Sequence, residues 1–145
     1  MTQEVYDILS LPKRIRAEIQ RTETELEGLR MSMLPGSVRY DKDIVQTSPQ
    51  DPMAQYIVRV ERLLTKITRL KRSYLAAQDQ VMDLCNQLSS PQSEIISMRF
   101  VSSYSFEVIA GKVCLSERQM FRYYRKGLNE IDDILKKKKD VSECQ

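Results

Sequence analysis

The chain has no histidine and no tryptophan, and only four glycines in 145 residues. Without histidine it lacks the commonest general base and the commonest metal ligand. Cys85, Cys114 and Cys144 show no CxxC spacing, which argues against a structural zinc site. An odd number of scattered cysteines suits reduced thiols in a cytoplasm, with Cys85 and Cys114 as small apolar core residues. No glycine-rich phosphate loop is present, and Asp132 and Asp133 adjoin on one helix and so face different directions. These absences exclude the usual catalytic constellations, so neither an enzyme nor a bound cofactor or metal is expected. The N-terminus has no apolar run long enough for a signal peptide or a membrane span. The expectation is a soluble cytoplasmic protein with no membrane partner.

Scarce glycine and 30% charged residues favour long helices over a sheet protein. A net charge of +3 is too small to diagnose a nucleic-acid partner, so the distribution matters more. Arg59, Arg62, Lys66, Arg69, Lys71 and Arg72 stand against Glu61 alone, and Arg118, Arg122, Arg125 and Lys126 against Glu117 alone. A solvated helix face is the ordinary reading of such a cluster.

Val5, Ile8, Ile15, Ile19, Leu26, Leu29 and Met33 follow a 3–4 spacing with Pro12 and Thr22 as its poor members. Because proline is tolerated only near a helix start, a short turn is expected at 5–9 and the main helix from 12 to 31. Residues 34–52 hold three prolines and a glycine and read as a loop whose Val38, Tyr40, Ile44 and Val45 pack back on the helices. Asp51 and Pro52 have the character of an N-cap and a first helical residue. From Pro52 to Leu88 runs the clearest periodicity in the chain: Met53, Val60, Ile67, Tyr74, Val81 and Leu88 alternate with Tyr56, Leu63, Leu70, Ala77 and Leu84. This is a coiled-coil seam over about five heptads, on a helix of roughly 54 Å. The shorter first helix pairs with it antiparallel and leaves seam uncovered. A partner chain is the simplest supplier of the missing surface, with Val60, Leu63, Ile67, Leu70, Tyr74 and Val81 as the oligomerisation residues and a dimer favoured. Otherwise the C-terminal block folds back over it.

Ser89, Ser90 and Pro91 break the long helix. A helix over 91–101 follows, then Ser105 capping a helix from Phe106 to about Val113, a turn over 111–115, and a last helix opened by Ser116 and running to about Lys138. Ser116 with Gln119 makes a capping box. Met120, Tyr123, Leu128, Ile131 and Leu135 form the inward stripe, and Lys136–Lys139 favour the C-terminal end of the dipole. The fold class is therefore all-α: a long antiparallel, coiled-coil-like hairpin over 1–88, a helix-turn-helix unit over 89–139 and a disordered tail over 140–145.

A helix-turn-helix presents its last helix to the DNA major groove. With Met120 and Tyr123 inward, the residues left facing DNA are Ser116 at the entrance, Glu117, Arg118, Gln119, Phe121, Arg122, Arg125 and Lys126. Arginine pairs with guanine O6 and N7, and glutamine with adenine N6 and N7, so Arg118, Gln119 and Arg122 are the foremost base readers. Glu117 can accept from cytosine or serve the helix N-terminus. Phe121 can meet a thymine methyl or pack on the preceding helix. Tyr124, Arg125 and Lys126 lie nearer phosphate.

The run Glu94–Phe100, then Ser105–Ala110, then Leu115-Ser116 and its helix resembles region 4 of sigma-70-type factors, over about 45 residues. The resemblance implies that Glu117, Arg118, Gln119, Phe121 and Arg122 occupy base-reading positions, that Gly127-Leu128 is the small–apolar pair closing the last helix, and that RNA polymerase is a further partner. The whole chain, with VQTSPQDP at 45–52 and FRYYRKGLNEI at its C-terminal unit, is similar to phage-encoded transcriptional regulators of the RinA and ArpU groups, which are thought to switch on late or packaging genes. That implies a sequence-specific DNA-binding activator working in a bacterial host cell. No sigma region 2 is present, so no promoter melting is implied. Two other classes fit the same elements: a small terminase-like packaging protein forming a ring, and an adaptor that binds polymerase rather than DNA.

Overall fold

The computed structural model describes residues 3–34 and 51–143, and all regular structure among them is helical. The helices are α1 Gln3–Ser32, α2 Pro52–Asn86, α3 Gln92–Phe100, α4 Phe106–Lys112 and α5 Glu117–Glu143. No described helix is long and apolar enough to cross a membrane. The expected packing of Val38, Tyr40, Ile44 and Val45 lies outside the described residues, as does Cys144.

Local signals act where expected. The Asp51 carboxylate accepts from the Met53 N–H at 3.0 Å, and Pro52 opens α2. Glu4 in the first turn of α1 and Arg30 in its last turn complement the helix dipole. Pro12 departs from expectation: α1 runs through it unbroken. The ring removes one helical hydrogen bond at a cost of about 3 kcal/mol. Burial offsets that cost, because Val5 and Leu9 on the preceding turns are fully buried. The Arg14 guanidinium donates to the Asp7 carbonyl at 3.0 Å, satisfying an acceptor beside the interruption.

The chain packs as two units, one of Met1–Arg14 with Tyr74–Gln145 and the other of Ile15–Ser73. The division expected at residue 88 is therefore not where packing divides the chain. In the first unit one core cluster joins Val5 and Leu9 of α1, Val81, Leu84 and Cys85 of α2, Leu88, Ile96 of α3, and Leu128 and Ile131 of α5. The end of the α2 seam is thus covered by α1 and α5 of the same chain. Val81, expected at an oligomer interface, is 0% exposed in this core and unavailable to a partner. Helix α5 also outruns its expected end near Lys138, continuing through 140–143, part of the expected disordered tail. Just before that stretch Lys139 pairs with Glu4 at 2.8 Å.

In the second unit α1 and α2 run antiparallel. Lys66 pairs with Glu18 at 3.3 Å and Lys71 with Glu23 at 3.7 Å, one on either side of the seam. Exposed pairs of this kind add little stability. Burial of Ile19, Thr22, Leu26 and Ile67 holds the unit together. Thr22 satisfies its hydroxyl on the Glu18 carbonyl at 2.9 Å, which is how a polar residue occupies a seam position. Ile67 is thus also covered within one chain, whereas Val60, Leu63 and Leu70 are half-buried and Met53 is exposed. The argument for a dimer from an uncovered seam accordingly loses Val81 and Ile67.

The two described cysteines should differ sharply in reactivity. Cys85 is buried and Cys114 exposed. Burial pushes the Cys85 thiol up to about 11. An unfolded chain ionises this thiol near its ordinary value of 9.0 while the folded chain keeps it protonated, so stability is full below pH 9.0 and falls as pH rises toward 11. Peptide mapping after maleimide treatment of the native protein near neutral pH should find Cys114 modified and Cys85 intact. Denaturation curves of Cys85→Ala should lack this contribution to the alkaline loss of stability.

Candidate nucleic-acid interface

Helices α3, α4 and α5 are assembled around a second core cluster of Ile95, Ile109, Ala110 and Met120. Adjacent Ile95 and Ile96 of α3 point into different clusters, so this short helix is clamped from both sides. Ser105 caps α4, its hydroxyl accepting from the Val108 N–H at 3.3 Å. The preceding loop is held by Arg99, whose guanidinium lies 4.1 Å from the Phe106 ring centre and donates to the Tyr104 carbonyl at 3.1 Å. Between α4 and α5 the chain turns through Cys114 at φ 57°, a left-handed conformation at a non-glycine residue.

Helix α5 begins with the capping box in place. The Ser116 hydroxyl accepts from the Gln119 N–H at 3.2 Å, and the Gln119 side-chain oxygen accepts from the Ser116 N–H at 3.4 Å. Ser116→Ala should therefore cost about 1 kcal/mol in chemical denaturation, with Ser116→Asp retaining most of the stability. An unchanged midpoint in the alanine variant would mean the box contributes nothing to the entrance of the helix.

Met120, Gly127, Leu128 and Ile131 form the buried face of α5. On the opposite side Arg118, Arg122 and Arg125 follow one another at i, i+4 and i+7, all exposed. At about 100° per residue they share one stripe, with Lys126 along its edge. None of these four cations has an ion pair with a carboxylate among the described residues. Glu117 is exposed at the first helical position, where a negative charge suits the dipole. Asn129, four residues beyond Arg125 and exposed, extends the stripe; it was not among the expected contacts, though the same spacing marks it. Asp132 closes off the basic run by pairing with Lys136 at 3.0 Å.

One open alternative is resolved and two expected roles change. Phe121 is half-buried, with its ring centre 4.8 Å from that of Phe106, so it packs on the preceding helix and is not an outward aromatic. Tyr124, expected near phosphate, turns inward: its ring stacks on Phe100 at 6.3 Å and meets Phe106 edge-on at 5.2 Å, linking the two clusters. Burial raises its phenol above the ordinary tyrosine range. Gln119 spends its side-chain oxygen on the cap, leaving the amide N–H groups as donors. A bidentate pair with adenine needs both ends and would open the box.

The arrangement offers hydrogen-bond donors and positive charge on a rigid, capped helix, and among the described residues no group of carboxylates and thiols is placed to hold a metal ion. Comparison with protein-family models, with curated proteins and with solved structures returned no match.

Proposed function

We propose that this protein is a sequence-specific, double-stranded DNA-binding transcription regulator, and that α5 is its reading helix. The observation carrying the proposal is the row Arg118–Arg122–Arg125. Three guanidinium groups project from one outward face of the helix that follows a capped two-helix support. Guanidinium forks at this spacing suit base edges and phosphates along a groove. Within this reading Arg118 and Arg122 contact bases, Arg125 and Lys126 meet phosphate, and Ser116 and Glu117 hold the helix entrance. Phe121 supports the reader from behind. The resemblance to region 4 of sigma-70-type factors and to the RinA and ArpU groups supports an activator of phage or prophage late genes that acts with host RNA polymerase; a dimer would rest on the half-buried seam residues Val60, Leu63, Leu70 and Tyr74.

The test is binding of the full chain to fragments of the encoding genome across a range of salt. A regulator should select one upstream region, and Arg118→Ala with Arg122→Ala should lose that selection. Uniform binding to all fragments, unaffected by the two substitutions, would overturn the proposal and favour a packaging role. Polymerase capture without DNA binding would favour the adaptor.

A further inference from the structure

The segment 59–72 is the second basic cluster in the chain, and the reading helix does not account for it. The structure divides its cations in two. Lys66 and Lys71 pair with Glu18 and Glu23 of α1, within the hairpin. Arg59, Arg62, Arg69 and Arg72 are exposed and have no ion pair with a carboxylate among the described residues, Arg72 lying off the face that the other three share. Pairing between α1 and α2 therefore explains the lysines and leaves the arginines unexplained.

We propose that Arg59, Arg62 and Arg69 form a second nucleic-acid surface, which takes the phosphate backbone of duplex DNA without reading its sequence. The three stand at i, i+3 and i+10, with Lys66 at i+7, so all lie within an arc of about 80° on one side of the seam. Along the helix the row spans about 15 Å. Duplex DNA carries a phosphate on each strand for every ~3.4 Å of rise, so a row of this length lies against a dense line of anions. The planar, permanently charged guanidinium suits this partner: it holds phosphate oxygens in a fork and is more weakly hydrated than an ammonium. Together with Lys66 the cations recur every three or four residues, and a continuous polyanion answers such a row better than an acidic protein surface, whose carboxylates are irregularly placed. Carboxylates border the row without pairing with its arginines: Glu25 lines a groove with Arg59 and Arg62, Asp51 lines another with the same two arginines, and Glu61 stands beside Arg62 and Arg69. The surface lies wholly within the unit of residues 15–73 and does not depend on how α5 acts.

The experiment is anisotropy of labelled, mixed-sequence duplex DNA with the full chain over a salt series, with polyglutamate as the competing polyanion. Replacing Arg59, Arg62 and Arg69 by Gln should weaken binding to every duplex alike, by about tenfold or more at low salt, and lower the slope of log affinity against log salt by about 2 to 3. The same three residues changed to Lys should keep most of that slope. Glu25→Gln should shift affinity the other way. Unchanged affinity and slope in the Gln variant would overturn the proposal. So would a Lys variant as weak as the Gln variant, or loss of polyglutamate binding with DNA binding intact. Failure of the reading-helix proposal looks different: no sequence preference in the wild type, with the slope still falling in the Gln variant.

Discussion

Arg118→Ala together with Arg122→Ala should lower affinity for the preferred DNA site by about 10²- to 10⁴-fold, each arginine–guanine pair being worth roughly 1–3 kcal/mol. The two residues sit one turn apart on the exposed face of α5 and touch neither core cluster. Alanine is the best helix former, so the thermal midpoint should stay within a few degrees of wild type. Loss of binding could then not be attributed to unfolding. Binding to unrelated sequences should fall much less, and the salt slope should drop by no more than about 2. Arg125→Ala provides the internal contrast: it should weaken all sequences alike and lower the slope by about 1, as a phosphate contact does. Equal losses on preferred and unrelated DNA in the double variant would move Arg118 and Arg122 to the backbone and leave α5 without a base reader.

Much of this site could be read from residues that act on their immediate neighbours. Asp51-Pro52, Ser105 and the Ser116/Gln119 box each satisfy backbone donors within a few residues, so their effect does not depend on the rest of the fold. The 3–4 repeat in α2 was legible for the same reason: each heptad repeats the one before it. What escaped depends on contacts distant in sequence. Pro12 looks like a helix start until Val5 and Leu9 are known to be buried against α2 and α5. Met120 and Tyr123 are inward as their spacing implies, but Tyr124 joins them because Phe100 and Phe106 stand where its ring meets them. The line Phe121, Tyr124, Leu128, at i, i+3 and i+7, did carry that signal, and Tyr124 belongs to it. The division of the chain was hidden in the same way, because Val81 and Leu84 look like their seam neighbours and differ only in sharing a core with Leu128 and Ile131. The all-helical class rests on local patterns and was recovered; the roles of Tyr124 and Val81 rest on tertiary packing and were not, and the same packing decided between the two roles open to Phe121.

Replacing Gly127 by a bulky residue should be among the most damaging single changes in the unit that carries α5. Glycine is ordinarily a poor choice inside a helix, less favourable than alanine by roughly 1 kcal/mol. Its presence mid-helix calls for a reason, and the crossing of α3 over α5 supplies one. A Cβ at position 127 would collide with Cδ1 of Ile96 and stand 3.1 Å from Cβ of Gln92. Neither neighbour has room to retreat, since Ile96 is fully buried and Gln92 is 2% exposed with its side-chain nitrogen donating to Glu130 at 3.0 Å. Gly127→Leu should therefore separate the two helices and cost about 3 kcal/mol or more in urea denaturation. In Gly127→Ala the gain in helix propensity partly offsets the clash, leaving a net loss of about 1 kcal/mol. Ile96→Val deletes the colliding methyl and alone should cost about 0.5–1.5 kcal/mol. Combined with Gly127→Ala it vacates the space that the new methyl fills. The double variant should then be more stable than the sum of the single losses by about 1 kcal/mol or more, the coupling expected of residues in direct contact. Strictly additive losses would show that the two helices adjust to the methyl by shifting apart, and that close approach at Gly127 is not what holds α3 against α5.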